Sequence, residues 1–318
     1  MVKAWPGSTN LGGITFFFTT GPGTSTIPGA RGVPAVLPID VPTETFWKGY
    51  RLYLEFAKKV VDAGGFGFGD VNPQGNDTYV FVGTILMPGM TTAQTRELIA
   101  PLFESLRAVG ISVPDNYRTG TTPYAQQGTG VTPNTFPGAP ADRVFITRLL
   151  PRQLWANATR LDLVAETNRK TAEMGYRVTT RAYGPTAEAA GYPGNSTSAV
   201  NPAMRNMVIH CVIFKQEPVD VITPAEFLSE HARLRARVNL LRDQTPESGT
   251  YFNEADRLEP GWQDAFWGHH YPRLVDIKKS VDPWNLFWAP NTVGSEGWEV
   301  KTATGLPTQD GPLCRKEN

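Results

Sequence analysis

Residues 251–256 read Tyr-Phe-Asn-Glu-Ala-Asp, and residues 266–287 read Phe-Trp-Gly-His-His-Tyr-Pro-Arg-Leu-Val-Asp-Ile-Lys-Lys-Ser-Val-Asp-Pro-Trp-Asn-Leu-Phe. Taken as a strand, the first stretch alternates, with Tyr251 and Asn253 on one face and Phe252 and Glu254 on the other. Asp256 suits the turn that follows. The second stretch predicts a helix from Tyr271 to Ser280 that stops ahead of Pro283, because the residue before a proline is pushed out of the helical region. Arg273, Lys278 and Asp282 act as the scaffold of that helix. The aromatic residues Trp262, Phe266, Trp267, Phe287 and Trp288 have core spacing, and burial is expected of them.

Upstream, strands and helices follow one another. Ile14 to Thr19 is an apolar strand, and Thr20 to Pro38 is a loop by composition. Thr43 to Ala63 has apolar residues at spacings of three and four, the signature of an amphipathic helix, with Thr43 or Thr45 as its cap and Gly64-Gly65 as its stop. Gly64 to Gly69 reads as a helix stop plus a turn, because it lacks the spacing and the strand-to-helix setting of a phosphate cradle. Tyr79 to Met87 is a strand closed by Pro88-Gly89, and a helix capped by Thr91 or Thr92 runs to Gly110. A long loop (Pro114 to Ala141), a helix near Gln153 to Met174, and strands near Arg177 to Tyr183 and Met207 to Phe214 follow. A helix from Pro224 to Leu241 places Phe227, Leu228, Ala232, Leu234, Val238 and Leu241 inward. Strands with helices stacked on one face of a sheet make an α+β layout. The polar, glycine-containing stretch Arg242 to Thr250 is the strongest composition break.

With 318 residues and 40% apolar content, the chain is long enough to bury a core of its own. Thirty basic residues balance thirty acidic ones without a basic block, so neither nucleic acid nor an anionic membrane is an expected partner. No run approaches the roughly 20 apolar residues of a membrane span. Two cysteines, Cys211 and Cys314, form neither a disulfide framework nor a metal or redox pair, and no metal site is expected. The first residues do not read as a signal peptide, yet Asn76-Asp77-Thr78, Asn157-Ala158-Thr159 and Asn195-Ser196-Thr197 are glycosylation sequons, which fit a parent protein of the secretory route as well as chance.

The quoted stretches resemble the C-terminal segment of berberine-bridge-type, FAD-linked oxidases, whose pattern is Y-x-N-x-x-D, then G-x-N-Y-x-R-L-x-x-x-K, then D-P-x-x-x-F. Val2 to Pro6 is similar to the strand that leaves the flavin domain in that family. Thr147 to Arg152, Asn201 to Arg205 and the fungal-type ending Val293 to Trp298 are similar to further segments. The resemblance implies the substrate domain of the vanillyl-alcohol-oxidase-type fold, an antiparallel sheet with helices on one face, with the flavin-binding domain expected to be absent. It divides the chain into a substrate-binding domain (1–250), a berberine-like segment (251–298) and a polar tail (299–318).

The implied activity is transfer of hydride from a small organic substrate to FAD, with oxygen as acceptor, while the protein positions groups and moves protons. Glu254 stands where many members carry a tyrosine of the base machinery, which makes it the catalytic candidate. A desolvated carboxylate there would have its pKa raised toward the useful range. An ion-paired strand-end glutamate is the alternative. Tyr251 and Asn253 are candidate substrate-binding residues. His270, where the family has asparagine, and Tyr271 are candidate cofactor contacts, against a surface pairing of His270 with His269. FAD is not expected to bind tightly to this chain alone. Its alternatives are a flavin-free binding module or a subunit completed by a separate flavin-binding chain.

Overall fold

A computed structural model describes residues 11–21, 39–114, 118–120, 145–186, 198–215, 223–302 and 311–316. Val2 to Pro6, most of the loops Thr20 to Pro38 and Pro114 to Ala141, and the Asn195 sequon lie outside the described residues. In chain order the elements are β1 (Leu11–Thr19), β2 (Ile39–Asp40), α1 (Thr43–Asp62), β3 (Phe66–Gly75), β4 (Thr78–Pro88), α2 (Thr92–Ala108), β5 (Arg118–Gly120) and β6 (Phe145–Pro151). There follow α3 (Ala158–Glu173), β7 (Arg177–Ala182), α4 (Pro202–Asn206), β8 (Met207–Phe214), α5 (Pro224–Gln244), α6 (Trp262–Trp267), α7 (Tyr271–Val281), β9 (Trp298–Val300) and β10 (Leu313–Arg315).

The main sheet has the order β2-β1-β4-β3-β7-β8-β6, with β5 on β1. It is antiparallel except for the two-residue parallel pairing of β1 with β2. Alternation sends Ile14, Phe16 and Phe18 of β1, and Phe81, Ile85 and Met87 of β4, into one core against the apolar stripes of α1, α2, α3 and α5. Phe81 sits at its centre, stacked on Phe18 at 4.7 Å and edge-on to Tyr53 at 5.1 Å. Capping boxes start two helices: Thr91 with Gln94 for α2, and Thr223 with Glu226 for α5. Among the described residues no helix is long and apolar enough to cross a membrane.

Several expectations change. The N-cap of α1 is Pro42, not Thr43 or Thr45, and no side chain caps it. Gly64 does stop the helix, at φ +79°, but Gly67 and Gly69 lie inside β3 and are not part of a turn. They are glycines because a Cβ at Gly69 would run into the ring of Tyr53 and come within 2.8 Å of Thr180 Oγ1. The helix expected near Gln153 to Met174 is split: Arg152–Ala156 is a 3-10 turn, and extended Asn157 restarts the chain as the cap of α3, accepting from Arg160 N–H at 3.1 Å. On α5, Leu228 faces solvent, whereas His231 is buried. Phe266 is buried as expected, but Phe287 is 78% exposed. The tail from 299 takes part in a two-stranded hairpin, β9 with β10.

Candidate functional site

The face of the sheet opposite the helices carries a row in register across six strands: Thr15, Thr84, Phe68, Arg181, His210 and Leu149. His210 is the polar residue in an otherwise apolar strand, Met207–Phe214, and is fully buried. Among the described residues neither of its ring nitrogens has a hydrogen-bond partner. Burial, helped by the charge of Arg181, pulls its pKa down to about 3, so the ring is neutral at ordinary pH. One row away, Thr147 Oγ1 is also buried without a partner.

The chain after α5 brings further groups onto this face. Leu149 N–H donates to Gly249 O at 2.9 Å, and Ser248 Oγ donates to Leu149 O at 2.7 Å, so residues 248–249 line the free edge of β6. Arg148, on the helix side, donates to Thr245 Oγ1 at 2.9 Å and to Thr245 O. Asn201 Nδ2 donates to Ala265 O at 2.7 Å, which also accepts from Thr250 N–H at 2.8 Å. These bonds place Tyr251 over β8.

From there the backbone departs from the expected strand. Phe252–Glu254 is a 3-10 turn, closed by Glu254 N–H donating to Tyr251 O at 3.0 Å. A 3-10 turn has a period of three, so residues 251 and 254 share a side, where a strand would have separated them. Tyr251 meets the His210 ring edge-on at 5.7 Å, and Glu254 Oε2 lies 3.7 Å from His210 Nδ1. Glu254 also accepts from Arg181 in an ion pair. The carboxylate therefore sits against a guanidinium, as in the ion-paired alternative, and not in an apolar pocket. Asn253 is exposed and donates from Nδ2 to Tyr251 OH at 3.0 Å. Phe252 turns away to pack on Phe266 and Trp267, each at 5.4 Å. Burial, with Glu254 adding to it, pushes the phenol of nearby Tyr183 up to about 12.

Asp256 locks this turn to α5. It accepts from His231 Nε2 at 2.8 Å, from Arg235 at 3.3 Å and from Leu258 N–H at 2.8 Å. His270 and Tyr271 lie elsewhere. His270 stands edge-on to His269 at 4.4 Å, with Nδ1 buried and without a partner among the described residues. Tyr271 spends its hydroxyl on Glu296, at 2.7 Å to both carboxylate oxygens.

Residues 250–294 match the family described as berberine and berberine like. The FAD-linked oxidoreductase ZEB1 of Gibberella zeae is 27% identical over 281 residues, 86% of this chain and 45% of that protein. The VAO-type flavoprotein oxidase VAO615 of Thermothelomyces thermophilus is 26% identical over 280 residues, again 86% of this chain and 45% of that protein. The chain is therefore similar to FAD-linked oxidoreductases over most of its length and carries a berberine-like segment at residues 250–294. The crystal structure of VAO-type flavoprotein MtVAO615 from Myceliophthora thermophila C1 superposes with a TM-score of 0.71, at 23% identity, over 97% of this chain and 50% of that one. The chain spans about half the length of the curated relatives it matches.

The cofactor of these oxidoreductases can be tested against the residues described. The helix-free face is partly open at Thr15, Thr84, Phe68 and Arg181 and there fits one flank of a flat, polar-edged ring, whereas the unpartnered polar atoms of His210 and Thr147 are buried beneath it. Among the described residues the glycine-rich run offers no phosphate cradle, since it is built into β3 and closed by Tyr53. Arg181 and His210 are not among the residues to which the berberine-like pattern points. For His210 the signal is a polar residue in an otherwise apolar strand, whereas Arg181 lies in a mostly polar strand and carries no such mark.

Proposed function

We propose that this chain is the substrate-facing half of an FAD-linked oxidase in which Glu254 accepts a proton from the hydroxyl of a small organic substrate. The observation that carries the reading is the meeting of Glu254 and Tyr251 with Arg181 and His210 on the helix-free face. FAD, when bound, supplies the hydride acceptor and passes its electrons to oxygen. Arg181 fixes the carboxylate, and Tyr251 with Asn253 orients the substrate through the hydrogen-bonded hydroxyl and amide. His270, its ring held neutral by burial and by the nearby charges of His269 and Arg273, is a cofactor contact. Tyr271 becomes one only by releasing Glu296. The flavin-binding half belongs to the same polypeptide or to a separate chain, and the isolated chain binds FAD weakly because the described face lacks a phosphate site. Exposed Asn76 and Asn157 in sequons support a secreted parent, and a secondary metabolite is the preferred substrate class.

The Arg181 ion pair favours a second reading, a flavin-free binding module in which Glu254 is structural. Anaerobic stopped-flow reduction of flavin, with this chain joined to the flavin-binding half of a relative, separates the two. Glu254→Gln keeps shape but loses proton acceptance, so flavin reduction should slow by about 10²–10⁴-fold with little change in substrate binding. Reduction at the wild-type rate would move the base elsewhere.

A further inference from the structure

We propose that Asn157 carries an N-linked glycan and, while carrying it, still caps α3. The proposal rests on the secretory route proposed for the parent and adds a modified residue to it. Asn157-Ala158-Thr159 has the acceptor pattern, with no proline between the amide and the hydroxyl. Such tripeptides arise by chance, and three features of the fold single this one out. Asn157, Ala158 and Thr159 are all exposed. The backbone of Asn157 is extended, at φ −139° and ψ 103°, whereas in the other described sequon Asn76 and Asp77 sit at φ 49° and 55° in the β3–β4 hairpin. Finally, the side-chain amide divides its labour. Oδ1 accepts from Arg160 N–H at 3.1 Å, and nothing among the described residues binds Nδ2.

That division decides what the modification does to the fold. The donor is an oligosaccharide carried on a polyprenyl pyrophosphate. Asn157 Nδ2 attacks its anomeric carbon; an N–C bond forms, the C–O bond to pyrophosphate breaks, the amide gives up one proton, and the pyrophosphate leaves with the electron pair. The product is a secondary amide that keeps one N–H and both lone pairs of Oδ1. The bond from Arg160 N–H therefore survives, and a bulky, solubilising group is added without a loss of helix capping. The attachment point belongs to the helix layer, since α3 packs Val164, Ala165 and Ala172 into the core. Glu254 and Arg181 meet on the opposite face of the sheet, so the sugar leaves their ion pair untouched.

The test directs the 318-residue chain into a eukaryotic secretory pathway behind a cleavable leader, and recovers it from microsomes and medium. Trypsin releases Gln153–Arg160, a peptide that contains Asn157 and neither of the other sequons. In wild type this peptide should carry a glycan by mass spectrometry, and in Thr159→Ala it should be bare. Thermal melting then reads the cap. Thr159→Ala keeps Asn157 and should melt within about 1 °C of wild type. Enzymatic release of the glycan converts Asn157 to aspartate, an equally good cap, and should also leave the midpoint in place. Asn157→Gln removes both sugar and cap and should melt about 1–4 °C lower. A bare Gln153–Arg160 peptide in wild type would overturn the proposal. So would a midpoint that falls on enzymatic release as far as it does in Asn157→Gln, because the sugar and not the amide would then be holding the start of α3. Since the leader is supplied, a bare peptide counts against Asn157 and not against a secreted parent, and the chemistry proposed for Glu254 plays no part in the outcome.

Discussion

The helix-backed half of the sheet and the segment after Thr250 are held together by opposite means. In the first, Phe16, Phe18, Tyr50, Tyr53 and Phe81 are buried together between β1, β3, β4 and α1, and stability comes from apolar area and ring packing. In the second, large side chains face outward: Trp284, Leu286 and Phe287 are 79%, 80% and 78% exposed. Polar bonds give that segment its shape. Lys278 pairs with Asp282 and donates to Phe287 O at 2.6 Å, and Asp282 accepts from Leu286 N–H at 2.8 Å and Phe287 N–H at 3.1 Å. A core organised by burial is complete by itself. A loop organised by hydrogen bonds, with its apolar side chains left outside, is prepared to meet another surface.

The comparison can be broken at its strongest point first. Phe81→Ala opens a cavity under four aromatic rings and should lower unfolding free energy by about 3–5 kcal/mol, measured by denaturant titration. A loss below about 1 kcal/mol would mean that the aromatic cluster is not the stabilising centre.

Next comes the polar lock. Burial works against the charge of Asp256, but the His231 hydrogen bond and charge, the Leu258 N–H and Arg235 outweigh it and hold its pKa below the usual value of 3.8. For a depressed carboxyl, the stabilisation is present above the unfolded pKa and disappears as pH falls through the folded one. Asp256→Ala should cost about 2–4 kcal/mol, because buried His231 loses its acceptor and Arg235 keeps only Leu258 O. Faster amide exchange should appear after Thr250 before it appears in β8, and lowering the pH below 3.8 should loosen wild type in the same region. Uniform acceleration across the sheet would show that the segment and the core unfold as one unit.

The smallest expected effect is on the exposed apolar loop. Trp284→Ser combined with Phe287→Ser should change stability by no more than about 0.5 kcal/mol per site, yet weaken association with a flavin-binding half, read by sedimentation. Destabilisation as large as that of Phe81→Ala would show that these rings are packed in solution and that the contrast between the two regions is false.

Much of the fold was legible because periodicity is a local property. The apolar run Met207–Phe214 coincides with β8, and Tyr271 and Pro224 start their helices as the local pattern predicts. Gly67 and Gly69 were misread because the ring that requires them, that of Tyr53, comes from another element. The berberine-like pattern singled out Tyr251, Asn253 and Glu254 together, but strand alternation placed Glu254 on the wrong side of Tyr251. Among the described residues no strand takes up the backbone of residues 252–254, and the local bond from Glu254 N–H to Tyr251 O closes a turn there.

The sequence by itself determined the α+β layout, the helix-facing stripe of each element, and the kinship of the berberine-like segment, since each is written in residue types at fixed short spacing. Only the tertiary structure decided which strand residues face Glu254. Arg181 and His210 lie 73 and 44 positions away in sequence, and they are set beside each other by the β7–β8 register, a pairing between strands that no local pattern of either strand encodes.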